Sequence, residues 1–495
     1  MSDDTHDPNG LPKDDVPTYP ADAQRLQSYA NAEQQLAAFQ APVLIHAGNP
    51  HERLYAACMD GTGNDESKPQ FGQETNVARI HDQIYAAGND RIQAGYVPGP
   101  GTQDHWLART RDDISGASYN VRLEEAYKQF IDQASKWKAE DPQADIRVVV
   151  TGFSRGAEEA AGLARLIDER GIQNPDGAIY TKNRDNQIAH VDYTKPPIVA
   201  PGQVAQAELL FDAVGTGYAM AHVDRRPPPS VISGLQIIAA DERRSAFKSD
   251  HIVDPGLSPD RRFLGVTVAG AHSDIGGSYR LDGLGARSEN LAIDYLNALS
   301  DKPFLQRAAV PDDPRMSVVH RSEKAFPFDL MPTVDRATPA GYNERLVPQE
   351  THYHTTQTEH GPAATVTHKE RPGVNDPFNA EARNETLNRS FDRQTVKTAF
   401  PMAGQEKASD ASTRTITPQS SMHDMFEAIN AAVANKDMGA IGDISHAYLQ
   451  SNNGQAWLAQ GRELNQQIQT QAQQAALDAQ QTQQVMQQQP RGFSR

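Results

Sequence analysis

Between residues 43 and about 300, short apolar runs alternate with longer stretches in which apolar positions recur at helical spacing. The runs at 54–59, 146–151, 208–211 and 263–268 are aliphatic, and each leads into a turn bearing Gly or Asp. Unbroken apolar runs of this length describe strands buried on both faces, as in a parallel sheet covered by helices. Helices are expected over 126–138, 157–170 and 290–299. The pattern predicts a three-layer α/β domain with a mostly parallel sheet, whose ligands would sit at the carboxyl ends of the strands.

Outside this region the pattern weakens. Residues 1–20 read as a disordered start, followed by a polar helix near 21–40 in which Leu26, Tyr29, Leu36 and Phe39 keep helical spacing. From 300 to 415 Pro, Thr, His and charged residues dominate without long periodic runs, so an insertion or linker is expected. The run Arg225-Arg-Pro-Pro-Pro229 reads as a loop, either a rim over a pocket or a plain surface excursion. Helical periodicity returns over 422–464, and 466–489 is mostly Gln and Ala, which reads as solvated helix or disorder. The expected organisation is an N-terminal extension (1–42), a catalytic domain (43–325), an insertion or linker (326–415) and a helical, Gln-rich C-terminal module (416–495).

Charge and cysteine usage narrow the partners. The 495 residues carry a formal net charge of -17, which argues against nucleic-acid binding and against charge-driven adsorption to anionic lipid. Membrane contact would have to be apolar and local. The single cysteine, Cys58, permits no intramolecular disulfide. No run of about 18 apolar residues suggests a membrane span. The first residues lack the basic and then apolar order of a secretory signal, so synthesis in the cytoplasm and export by a dedicated machine are expected.

The sharpest local signal is Gly152-Phe-Ser154-Arg-Gly156, placed between a β-branched strand and an Ala-rich helix. Gly-X-Ser-X-Gly in that context is a nucleophile elbow: a tight turn that strains the serine and presents its hydroxyl at the edge of the sheet. Glycines two residues to either side remove side chains that would collide as strand and helix converge. The helix amides then point at the site, so the N–H of Arg155 can donate to an oxyanion. A second donor is expected in Asp60-Gly-Thr-Gly-Asn64, at Gly61 or Thr62; no Gly-Lys-Ser/Thr follows to make that loop a nucleotide site. The fold class becomes an α/β-hydrolase, with an acid and then a histidine needed downstream.

Two carboxylates and two histidines qualify. Counting strands in order, Asp212 follows the first strand after the elbow and Asp274 the next. An acid after the second strand favours Asp274, with His320 behind the apolar run 316–319. The competing partners are Asp212 and His272. Serine acyl transfer needs no cofactor and no metal. His352, His354, His360 and His368 show no ligand spacing and read as a solvated polar loop.

Several segments together resemble the first family of type VI secretion lipase effectors, which are bacterial phospholipases: Asp60-Gly-Thr-Gly-Asn64, Thr75-Asn-Val-Ala-Arg-Ile80, Pro98-Gly-Pro-Gly-Thr102, Gly152-Phe-Ser-Arg-Gly-Ala157, Phe211-Asp-Ala-Val-Gly215, Ala240-Asp-Glu-Arg-Arg244 and His272-Ser-Asp-Ile-Gly-Gly277. The resemblance implies hydrolysis of membrane phospholipid acyl esters in the periplasm of a rival bacterium, with a cognate immunity protein protecting the producer. The family often has an aromatic-proline pair before its His-Ser-Asp segment, where this chain has Val266-Thr-Val-Ala-Gly270, leaving the pocket wall open. The Gln-rich end resembles the recruitment tail of antibacterial type IV effectors, so the secretion partner is a type IV coupling protein or a type VI spike. The other function classes are a non-catalytic adaptor on a hydrolase scaffold and an esterase for non-lipid substrates.

Overall fold

The computed structural model describes residues 11–14, 16–61, 74–99, 119–183, 186–215, 225–338, 341–343, 384–398, 417, 420, 438–451 and 455, and the backbone of 351–358 and 361–368. Two compact units divide the chain, Met1–Met402 and Ala403–Arg495. In the second, the described helix is Met438–Gln450; the Gln-rich stretch lies outside the described residues.

The first unit is built on a seven-stranded sheet of β1 (Glu52–Met59), β2 (Ile92–Val97), β3 (Asp145–Phe153), β4 (Gln206–Phe211), β5 (Val231–Ala239), β6 (Gly256–Leu257) and β7 (Phe263–Val268), in the order β6-β7-β5-β4-β3-β1-β2. Every neighbouring pair is parallel except β6 with β7. The helices are α1 (Ala23–Ala37), α2 (Asn76–Ala87), α3 (Tyr119–Glu140), α4 (Arg155–Arg170), α5 (His272–Gly276) and α6 (Gly283–Asn297).

Strand residues alternate between two cores. Leu54, Ala56 and Cys58 join residues of α1, α2 and α6, while Tyr55, Ala57 and Met59 join residues of α3 and α4. Successive side chains of a strand leave on opposite faces, so a sheet buried on both sides needs apolar residues at every position. The result is a three-layer α/β fold of the expected mostly parallel kind.

Five of these elements lack a clear counterpart in the apolar pattern: β2, α2, β5, β6 and α5. Strand β5 is interrupted by Ser233, Gly234 and Gln236, which breaks the apolar signal. Tertiary partners satisfy these residues: Tyr295 Oη donates to Ser233 at 3.0 Å, and Gln236 bonds Asp250 O at 2.6 Å and the N–H of Val253 at 2.8 Å. Gly234 leaves room for the Phe263 ring, 3.0 Å from where a Cβ would stand. With β5 in place, β7 is the third parallel strand after the elbow rather than the second. The strand count that favoured Asp274 therefore does not hold.

The N-terminal stretch is more integrated than a disordered extension. Thr18–Pro20 pairs antiparallel with Val318–His320, and Asp14 accepts the N–H groups of Arg280 and Leu281, both at 3.0 Å. Parts of the expected insertion are also tied in. Arg393–Thr395 pairs with Gln40–Pro42, and Tyr342–Asn343 with Ser249–Asp250.

Candidate active site

Strands β1 and β3 are neighbours, yet the sheet grows outward from them in opposite directions, to β2 on one side and to β4, β5 and β7 on the other. In open parallel α/β sheets such a reversal marks where ligands sit, at the carboxyl ends of the strands. Ser154 stands there, directly after β3 and before α4, with φ 60 and ψ -126. A non-glycine residue in such a conformation costs on the order of 1–3 kcal/mol, so its surroundings must hold it. The Ser154 N–H donates to Phe211 O at 3.0 Å, and Ser154 O accepts from Val214 N–H at 3.4 Å. Its side chain makes no capping hydrogen bond to the helix it precedes.

The two glycines of the elbow answer to different neighbours. A Cβ on Gly152 would stand 2.2 Å from Gly156 O, the crossing expected of strand and helix. A Cβ on Gly156 would stand 2.3 Å from Met59 O and 2.4 Å from Asp60 O, so this glycine lets α4 start against the end of β1.

Asp212 follows β4 and carries φ 39. Its Oδ2 lies 2.6 Å from Nδ1 of His272, the first residue of α5. Its Oδ1 accepts Ala239 N–H at 2.9 Å, and Arg336 meets both oxygens, at 2.5 and 3.1 Å. Burial alone would raise the Asp212 pKa, but the Arg336 charge and the His272 hydrogen bond bring it down to about 2. Burial holds His272 below the ordinary imidazole range, outweighing the pull of Asp212 in the other direction. The imidazole is packed against Phe153, with centroids 4.5 Å apart, and meets Phe247 edge-on at 5.1 Å. The His272 N–H donates to Glu242 at 3.2 Å, and Glu242 is gripped by Arg244.

Asp274 and His320 also meet, at 2.5 Å, and Asp274 further accepts the His320 N–H at 3.0 Å. However, the Nε2 of that ring lies 3.0 Å from Asp14, so each ring nitrogen faces a carboxylate. Tyr279 stacks on the ring at 3.6 Å. Burial would lower the His320 pKa, but the two carboxylates raise it to about 9. A protonated imidazole with both nitrogens bound cannot accept a serine proton in this arrangement.

Of the oxyanion candidates, Gly61 spends its N–H on Asp60 Oδ1, at 2.6 Å. Asp60 also accepts Thr75 Oγ1 at 2.7 Å and Tyr96 Oη at 2.5 Å, so the buried carboxylate organises this turn. Thr62 lies outside the described residues. Arg155 is the first residue of α4 and is buried. Among the described residues no group of His, Cys, Asp and Glu could hold a metal ion.

Sequence reading missed Arg336 and Asp14, which carry no local motif, and gave no role to Glu242, although the Ala240-Asp-Glu-Arg-Arg244 segment had been singled out.

A parallel sheet with a strained serine at its central strand-to-helix turn, one strand away from a buried Asp–His pair, defines the α/β-hydrolase class. Residues 53–195 match the family model described as "T6SS, Phospholipase effector Tle1-like, catalytic domain". Over this segment the chain is similar to the type VI phospholipase effectors; Ser154 lies inside the match, whereas Asp212 and His272 lie beyond it. Among solved structures, the Tle1 effector bound to the VgrG spike of the type 6 secretion system is 17% identical, with a TM-score of 0.30, over 48% of this chain and 51% of that one. The match thus spans about half of that effector. The RedJ thioesterase of the prodiginine pathway in Streptomyces coelicolor is 14% identical, with a TM-score of 0.22, over 51% of this chain and 95% of its own. RedJ with a PEG molecule in its active site is 15% identical, with a TM-score of 0.22, over 51% and 98%. No curated protein matches.

Proposed function

We propose that this protein is an antibacterial phospholipase that cleaves acyl esters through Ser154, with His272 as the base and Asp212 as its orienting carboxylate. The observation that carries the reading is the buried Asp212–His272 pair beside the strained serine turn. With Nδ1 bonded to Asp212, the imidazole keeps its proton on that side and offers Nε2 as the base. Ser154 gives its proton to Nε2 as Oγ bonds to the ester carbonyl carbon. The imidazolium then protonates the departing alcohol, and water, activated by the same nitrogen, releases the fatty acid and regenerates the serine. The Arg155 N–H is the proposed first oxyanion donor and Thr62 the second; Gly61 is set aside because Asp60 holds its amide. Asp274 and His320, the first choice from sequence, are assigned instead to holding α5 in place.

A phospholipid substrate is supported by the family model and by an apolar lip near the site. Phe326, Leu330 and Met331 are 81%, 77% and 46% exposed. Between them Phe328 meets Phe247, which meets His272. Large apolar side chains exposed this close along the chain are a liability unless something apolar covers them, and a bilayer would. The proposed route is type VI delivery into the periplasm of a target cell, with a VgrG-type spike and an immunity protein as partners. A type IV coupling protein reading the C-terminal region is the alternative route.

Release of free fatty acid from phospholipid vesicles by the wild type, and its loss in Ser154→Ala with unchanged folding, is the test. Labelling of Ser154 by a covalent serine probe separates an enzyme from an adaptor on the same scaffold. Undiminished hydrolysis by the alanine variant would remove the serine mechanism.

A further inference from the structure

Arg336 reaches the site from the stretch that the sequence pattern marks as insertion or linker, far in sequence from every motif of the domain. Its guanidinium is buried. One nitrogen meets Asp212 Oδ1 at 2.5 Å and Ala239 O at 3.3 Å, and the other meets Asp212 Oδ2 at 3.1 Å and Phe247 O at 2.6 Å. The segment is pinned by Val334 N–H, which donates to Arg243 O at 2.8 Å, and by the bridge from Thr333 to Arg244. One side chain thus ties together the proposed triad acid, the end of β5 and the turn that carries Phe247 against His272.

Two consequences follow from this geometry. A planar fork on both oxygens sets the direction of the carboxylate, which a single N–H from Ala239 would leave free to turn. A buried carboxylate 2.6 Å from an imidazole would also favour its protonated form, and a protonated base is useless to Ser154. The charged groups around His272 are Asp212, Glu242, Arg244 and Arg336. They form two arginine–carboxylate pairs, Arg336 with Asp212 and Arg244 with Glu242, so each negative charge near the ring has a positive partner.

We propose that Arg336 is a positioning residue for acyl transfer: acting through Asp212, it aims the carboxylate at His272 and balances its charge, so that insertion-segment folding completes the triad. The proposal rests on His272 being the base.

The experiment measures kcat, KM and the pH profile of kcat/KM on a soluble short-chain ester, using the full chain as wild type, Arg336→Gln, Arg336→Lys and His272→Ala. Loss of both direction and charge in Arg336→Gln is expected to lower kcat on the order of 10²-fold with little change in KM, and to move the acid limb upward by about one pH unit. Arg336→Lys keeps the charge without the fork, so its acid limb should stay within about 0.3 unit of wild type while kcat falls about tenfold. Wild-type kcat in Arg336→Lys, or an unmoved acid limb in a folded Arg336→Gln, overturns the proposal. If Arg336→Gln does not fold, the lysine variant decides alone. An active His272→Ala would instead sink the underlying triad reading, whereas an inactive His272→Ala beside a fully active Arg336→Gln sinks only the role of Arg336.

Discussion

Nδ1 of His272 lies 2.6 Å from Oδ2 of Asp212, with the far side of the ring left to other business; His320 has a carboxylate on each side, Asp274 at 2.5 Å and Asp14 at 3.0 Å. The two imidazoles are thereby set to opposite charge states at neutral pH. Burial keeps the first below the ordinary range, and the paired carboxylates lift the second to about 9. A base must be neutral to accept a proton, and a clamp between two anions is strongest when charged.

Exchanging the two histidines in turn separates these roles. His272→Ala is expected to lower kcat at least 10³-fold and to move the melting temperature little. His320→Ala should cost about 3–5 kcal/mol by leaving Asp14 and Asp274 buried without a cation, while the molecules that remain folded turn over substrate near the wild-type rate. Steady-state kinetics normalised to the folded fraction, alongside thermal melts, decides. A stable but inactive His320→Ala would return the base to His320.

Glu208 on β4 predicts a pH dependence of stability. Among the described residues neither carboxylate oxygen has a hydrogen-bond partner, and burial raises its pKa to about 8, against the opposing charge of Arg165. The folded-state pKa exceeds the unfolded one, so the protonated form is favoured in the fold, and the native state loses stability as pH rises from about 4.5 through 8. Glu208→Gln removes the titration. Its advantage over wild type should grow by about 3 kcal/mol between pH 4 and pH 7, as read from urea unfolding at both pH values. An advantage independent of pH would mean that the carboxylate is charged or hydrated in the fold.

The apolar lip predicts a substrate-dependent effect. Phe326→Asp with Leu330→Asp alters two highly exposed side chains, so folding should be unaffected. Each large apolar side chain buried in lipid contributes roughly 1.5–3 kcal/mol, and their loss should reduce hydrolysis of phospholipid vesicles at least tenfold. Hydrolysis of a soluble ester should stay within about twofold. Equal losses on both substrates would place the lip in the chemistry rather than at a bilayer.

Legibility of the sheet in the sequence followed burial. Strands β1, β3, β4 and β7 announced themselves because nearly every position is apolar, whereas β5 hid behind Ser233, Gly234 and Gln236, whose partners Tyr295, Asp250, Val253 and Phe263 come from other elements. One missing strand was enough to shift the count that ranked the two acids.

Read alone, the sequence determined the α/β class and the strand-to-helix turn at Ser154, because tight turns and buried strands are written in residues next to one another. Which aspartate meets which histidine was decided by the tertiary structure. Asp212 and His272 are 60 positions apart, Arg336 lies 124 beyond Asp212, and Asp14 lies 306 before His320. Charge and hydrogen bonding act over a few ångströms of space, and a spacing rule along the chain carries no information about contacts made only when the sheet and its covering segments close.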